Sequence, residues 1–202
     1  MSNGIQLDKG QRINLSKTVA SLTNIKAVIG WNANTTDTGV DFDVDVSAFI
    51  CKHNASNSPK LISNEWFIFY NNLKSPDGAV VHRGDNLTGA TDDSSGECEA
   101  ITVDIKNINE QVDEISFVVT IHDAAIRRQN FGQIINAYIC LFNEVDGHVI
   151  ANYDLSDDFS IETAVQVGSL YKKNGDWMFH AVGAGYKTGL ASFVQEYGGT
   201  LE

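Results

Sequence analysis

The sequence predicts an all-β fold: an antiparallel β-sandwich with short peripheral helices, one of them near the C-terminus. Three observations lead there. Short runs rich in β-branched and aromatic residues recur along the whole chain. Turn chemistry separates them, most clearly at Pro76-Asp77-Gly78, Asp146-Gly147 and Asn174-Gly175. Two stretches alone read as helix, so the strand–helix alternation of an α/β fold is missing.

Taken in order, strands are expected at Ile25–Trp31, Val40–Lys52, Trp66–Asn71, Ile101–Asn107, Ile115–His122, Ile134–Asn143, His148–Leu155, Ala164–Tyr171 and Trp177–Val182. Asp146-Gly147 and Asn174-Gly175 are expected to make tight hairpin turns between neighbouring strands. A short helix is expected near Ala124–Gln129. A second runs from about Gly189 to Tyr197, with Thr188 as N-cap and Gly198-Gly199 as its stop. Two prolines, no low-complexity linker and no internal repeat make residues 1–202 read as a single sandwich domain, long enough to bury a full core.

Charge narrows the function classes. Fourteen Lys and Arg against 26 Asp and Glu leave a formal charge of −12, which repels phosphate backbones and anionic lipid. Nucleic-acid binding is therefore disfavoured. No run approaches the roughly 18 apolar residues of a membrane span, and the opening residues lack the pattern of a signal peptide. The three cysteines (Cys51, Cys98 and Cys140) have no Cys-x-x-Cys spacing and give no disulfide framework. Together these features predict a cytoplasmic protein without direct membrane insertion.

The most informative stretch runs from Gly39 to Phe49. Strand alternation puts Val40, Phe42, Val44, Val46 and Ala48 on one face and Asp41, Asp43, Asp45 and Ser47 on the other. Carboxylates on one face of a strand stand about 6.5–7 Å apart. At an effective dielectric of about 40 each such pair costs on the order of 1 kcal/mol. Asp is also a poor strand former. A divalent cation would compensate all three, because calcium accepts six to eight oxygen ligands in flexible geometry. The alternative is the solvated outer face of an edge strand, where charge discourages edge pairing. The stretch alone leaves both open. An EF-hand is excluded: its sixth position would be Val46 rather than glycine, and its twelfth Lys52 rather than glutamate.

A second acidic concentration spans Gly84 to Glu99 and carries Asp85, Asn86, Asp92, Asp93, Glu97 and Glu99 among glycines, serines and threonines. Its composition is that of a long loop rich in hard oxygen donors. Asn71 and Asn72, after the apolar run from Trp66, add candidate amide or carbonyl oxygens.

Other motifs fail. Lys187-Thr188 after Gly183 and Gly185 has Tyr186 where a phosphate-binding loop needs glycine. The five histidines have no His-Glu-x-x-His spacing, and there is no Gly-x-Ser-x-Gly elbow. His122-Asp123 reads as a strand end. Arg127-Arg128, the one basic doublet on a predicted surface, is expected to pair with nearby acids. An enzyme built on His122, Asp123 or Arg128 is the least supported class, and none is expected.

The acidic strand and loop, with further blocks, make the chain resemble the TerD family of bacterial tellurium-resistance and stress proteins along nearly its whole length. The blocks are Leu7-Asp-Lys-Gly10 with Asn14-Leu-Ser-Lys17, then Ile29-Gly-Trp31, then Asp41-Phe-Asp-Val-Asp45 with Ser47-Ala-Phe49. Phe69-Tyr-Asn-Asn72, Gly84-Asp-Asn-Leu-Thr-Gly89, Gln129-x-Phe-Gly132, Tyr153-Asp-Leu155, Glu162-Thr-Ala164 and Trp177-x-Phe179 with Ala181-Val-Gly183 come next, in the family's order. The resemblance implies a cytoplasmic sandwich that binds calcium at two adjacent sites and serves tolerance of tellurite and other stresses. It carries ligand roles most securely to Asp43, Asp45, Asp85 and Asn86. The chain departs from the family at Gly96-Glu-Cys-Glu99, where Gly-Asp-Asp-Glu is common, so Cys98 replaces a hard donor with a soft one. Asp92 and Asp93 stand as substitutes, beside Glu97 and Glu99. Asn152 replaces a common arginine.

The function expected from this reading is a non-enzymatic, calcium-dependent interaction module, its partners other proteins or a membrane-associated stress complex. The alternative is a small-ligand or protein-binding module in which calcium is purely structural.

Overall fold

The computed structural model describes residues 4–33, 42–84, 99–155 and 159–200. The strands are β1 (Ile5–Leu7), β2 (Arg12–Asn14), β3 (Asn24–Ala33), β4 (Val44–His53), β5 (Pro59–Leu61), β6 (Phe67–Ile68), β7 (Val80–His82), β8 (Glu99–Asp104), β9 (Glu114–Ile121), β10 (Ile134–Asn143), β11 (Val149–Asp154), β12 (Ala164–Lys173) and β13 (Asp176–Tyr186). Short helices α1 (Leu15–Thr18), α2 (Ala124–Arg127) and α3 (Gly189–Glu196) sit at the periphery. One sheet has the order β1-β11-β10-β3-β8-β7, the other β2-β13-β12-β9-β4-β5, with β6 also paired to β4. The pairings are antiparallel except β1 with β11, which is parallel. The predicted sandwich is the observed one.

Period-two alternation builds the core between the sheets. Phe42, Val44, Val46, Ala48 and Ile50 point inward from the acidic stretch and meet Ile29, Trp31, Phe117, Val119 and Ile121. Burying each larger side chain contributes roughly 1.5–3 kcal/mol. The outer face of β4 is closed as well. Phe49 and Cys51 lie under Phe193, Val194 and Tyr197 of the C-terminal helix region. The Phe49 ring stands 4.7 Å from that of Phe67 and 4.6 Å from that of Tyr197. Burial, then Glu114, pushes the Cys51 thiol well above its ordinary range, so it stays protonated and apolar in behaviour.

α3 ends as predicted. Gly198 takes φ +80°, while Gly199 N–H donates to the Val194 carbonyl and Gly198 N–H to that of Gln195. That pair of bonds is a Schellman stop. Thr188 occupies the N-cap position, but its side chain makes no capping bond. The Asn174-Gly175 turn is also as expected, with both residues at positive φ between paired Lys173 and Asp176.

Several boundaries differ for local reasons. The Asp146-Gly147 connection is wider than a two-residue turn, since β10 stops at Asn143 and β11 begins at Val149. The Trp66–Asn71 strand shortens to β6, because Asn72 donates through Nδ2 to the carbonyls of Phe67 (2.7 Å) and Glu65 (3.1 Å) and folds the chain back. β8 ends at Asp104, whose carboxylate accepts from the N–H groups of Lys106 and Asn107. α2 stops at Arg127 because Arg128 turns left-handed, at φ 55°.

Candidate metal centre

β4 enters the sheet through Phe42, which anchors in the core and fixes the phase of the strand residues after it. Asp45 and Ser47 then face outward, opposite Thr120 and Val118 of β9. They are not a solvated edge. Asp45 is 6% exposed and Ser47 0%, with β9 on one side of β4, while β5 and β6 pair with its later residues, from Ala48 onward, on the other. For Asp45 and Ser47 the solvated-face alternative is therefore excluded.

Arg127 and the His122 ring stand beside Asp43 and Asp45. The Asp43 carbonyl accepts from His122 N–H at 2.8 Å, which extends the β4–β9 pairing past Ile121. The chain then turns into α2, and Arg127 sets its guanidinium 3.5 Å from Asp43 Oδ2. The His122 ring lies 4.0 Å from Asp45 Oδ2 and 3.5 Å from Asp123 Oδ2. The basic doublet does pair with an acid, through Arg127. Between α2 and the start of α3 lies an open cleft of about 430 Å³, with Asp45, Thr120, Tyr70, Ile126, Lys187 and Leu190 among its lining residues.

Glu99 is the third predicted ligand that the structure describes in contact with this region. It points inward from the start of β8, and its Oε2 accepts from Val46 N–H at 2.6 Å. His82 of β7 completes the bracket, with Nε2 3.2 Å from the Val46 carbonyl and 3.6 Å from Glu99 Oε2. Both side chains are 1% exposed. β6 pairs with β4 at Ala48 and Phe49, so the main-chain groups of Val46 lie beyond it. Glu99 and His82 stand there in place of a neighbouring strand. Gly84 N–H in turn donates to His82 Nδ1 at 3.2 Å. The residues that flank the acidic stretch 85–98, Gly84 and Glu99, are thus both tied to Val46, the neighbour of Asp45: Glu99 directly, Gly84 through His82.

Asn71 is exposed in the reverse turn closed by reciprocal bonds between Phe69 and Asn72, next to cleft residue Tyr70. Asp41, Asp85, Asn86, Asp92, Asp93 and Glu97, with Cys98, lie outside the described residues. Among the described residues alone, no three His, Cys, Asp or Glu side chains converge on one metal position.

The donor chemistry suits a hard cation. Asp43 and Asp45 offer carboxylates. Ser47, one strand repeat further on the same face, has a buried Oγ with no hydrogen-bond partner among the described residues. Cys51 is held protonated beneath α3, away from metal chemistry. All-oxygen donors are what calcium takes.

Sequence reasoning missed His82, a single histidine in a three-residue strand. No local signal marks it, because its inward direction is set by the pairing of His82 with Ile101.

Comparison with known proteins agrees with this architecture. The family model described as TerD domain matches residues 3–197. The chain belongs to the TerD family. It is 48% identical to tellurium resistance protein TerD of Alcaligenes sp over 194 residues, covering 96% of this chain and 97% of that one. It is 45% identical to general stress protein 16U of Bacillus subtilis (strain 168), again over 96% and 97% of the two chains. Among solved structures, a homologue of telluride resistance protein (TerD) from Streptomyces coelicolor A3(2) superposes with a TM-score of 0.70 at 17% identity, covering 90% of this chain and all of that one. At that identity the likeness speaks for the fold. TerD-family membership places the chain among tellurium-resistance and general stress proteins.

Proposed function

We propose that this TerD-family chain is a calcium-binding stress-response protein associated with tellurite resistance, acting as a Ca2+-dependent interaction module. One juxtaposition supports the reading above others. Asp45 adjoins Val46, and Val46 is bracketed by Glu99 and His82, which hold both roots of the second acidic stretch. Two concentrations of oxygen donors that are far apart in sequence therefore start from one place. Asp43, Asp45, Asp85 and Asn86 would carry the ion, with Asp41, Asp92, Asp93, Glu97 and Asn71 as further donors and two ions as the expected load. Glu99 has Oε2 committed to Val46 and would coordinate through Oε1. Bound calcium supplies positive charge that neutralises and orders acidic loops, and the ordered surface is what other proteins, or a membrane-associated stress complex, would recognise.

Calcium titration by isothermal calorimetry tests this. A heat that persists in excess magnesium and disappears in the Asp43→Asn plus Asp85→Asn variant is expected. A featureless titration of the unaltered protein refutes the proposal.

A second reading has its own observation: Asp45 is 6% exposed on a strand buried on both faces, so an ion there could serve folding alone. Chelator melting curves beside pulldowns with and without calcium separate the two. Structural calcium lowers the melting temperature on removal and leaves the set of captured partners unchanged.

A further inference from the structure

We propose that Arg127 is a resident counter-cation of Asp43, and that a divalent cation on the carboxylates displaces it and loosens α2 from the sandwich. The inference rests on the calcium reading above and adds its moving part. Three observations carry it. First, the Arg127 guanidinium already occupies a position 3.5 Å from Asp43 Oδ2. A calcium ion at its usual 2.3–2.6 Å from a carboxylate oxygen, with twice the charge, attracts that oxygen roughly three times as strongly. The two cations repel each other, so an ion on the Asp43 carboxylate weakens the hold of Arg127 on it.

Second, α2 is thinly packed. Of its four residues Ala124 alone is buried, while Ile126 is 82% exposed. Third, its backbone is bracketed by two left-handed, non-glycine residues, Asp123 at φ 51° and Arg128 at φ 55°. Such a conformation is disfavoured for arginine, though aspartate tolerates it better, and at Arg128 it persists where surrounding contacts hold it. Removing the Arg127–Asp43 contact takes away one tether of α2 and favours relaxation of that backbone. α2 forms one wall of the cleft that Asp45 floors, so its release changes the cleft as the cation binds.

Two amides report the state of the turn: Arg127 N–H, bonded to the Asp123 carbonyl, and Gln129 N–H, bonded to that of Ala124, both at 2.9 Å. Hydrogen exchange at these amides is measured with and without calcium in the unaltered protein, Arg127→Gln and Arg127→Lys, alongside calorimetric calcium affinities. Expected results are faster exchange on calcium addition in the unaltered protein and fast exchange under both conditions in Arg127→Gln. Calcium affinity should rise about fivefold in Arg127→Gln, which is what loss of one competing, partly exposed ion pair is worth. Arg127→Lys should stay near the unaltered affinity, because it keeps the competing charge. Unchanged or weaker affinity in Arg127→Gln, with calcium heat intact in the unaltered protein, overturns this inference and leaves the calcium reading standing. Absence of calcium heat in the unaltered protein refutes that reading, and this inference with it.

Discussion

Phe49 and Asp45 lie on the same face of β4, two strand repeats apart, and their surroundings could hardly differ more. Phe49 is enclosed by apolar and aromatic groups from β6 and α3. Asp45 is nearly as buried, but around it stand Thr120, His122 and, beyond Asp43, the guanidinium of Arg127. One half of the strand is closed by packing, which is permanent once formed. The other is closed by charge, and charge can be exchanged for another ion. A β-sandwich with a rigid core can therefore still respond to its surroundings at one kind of place: where burial was completed with ions instead of hydrocarbon.

The most severe way to break the packed half is Phe49→Ala. It removes a fully buried ring with three aromatic neighbours and should cost about 3–5 kcal/mol in urea unfolding. Calcium affinity of the folded fraction should not change more than about twofold, if the halves of β4 are independent as distant sites usually are. A large loss of calcium binding in a folded Phe49→Ala protein would show that the two halves are one unit.

Next in size is the bracket at Val46. Glu99→Leu leaves a buried main-chain N–H without its acceptor and takes a carboxylate from His82, at a cost of roughly 2–3 kcal/mol. Glu99→Gln keeps a carbonyl oxygen and should cost on the order of 1 kcal/mol. Equal losses for the two variants, measured by denaturation in chelator, would refute the acceptor role.

Smaller still, and of opposite character, is Asp45→Asn. In chelator it removes like-charge repulsion with Asp43 while leaving the His122 ring a polar neighbour, and the net change should stay within about 1 kcal/mol. With calcium present, the stabilisation that calcium gives the unaltered protein should vanish. A large loss in chelator would instead mark Asp45 as part of the permanent scaffold, like Phe49.

The same contrast between local and distant causes decides how much is legible in the sequence. β4 is legible because ten residues of alternation fix a phase, and Phe42, Val44 and Val46 do face the core as that phase requires. β1, β2, β5 and β7 have three residues each, too few to carry a period. In the site, the outward direction of Asp43 and Asp45 comes from the same alternation. That the basic doublet pairs with an acid is readable, but which acid depends on how the turn after β9 folds back over β4. His82 and the second role of Glu99 depend on cross-strand register and on contact between sheets, which are non-local.

The smallest expected effect lies three strands from β4, at His180 of β13, in cross-strand register with Phe49 through Ser169 and Ser116. Burial first, then the charge of Arg12, hold its pKa below the ordinary histidine value, opposed by Glu114. A depressed pKa means that the folded state favours neutral imidazole. The unfolded chain binds the proton more readily, so His180 contributes stability above about pH 6.5, the unfolded value. That contribution is lost as pH falls through the lower folded pKa. His180→Gln removes the titration while keeping a polar side chain, so its melting temperature should fall less than that of the unaltered protein between pH 7 and pH 5. Glu162 supplies an internal control. Bonds from Ser160 and Ile161 N–H lower its pKa, so its contribution is lost only as pH falls below the ordinary glutamate value. Parallel curves for both proteins across pH 7 to 5 would assign the acid sensitivity to groups other than His180.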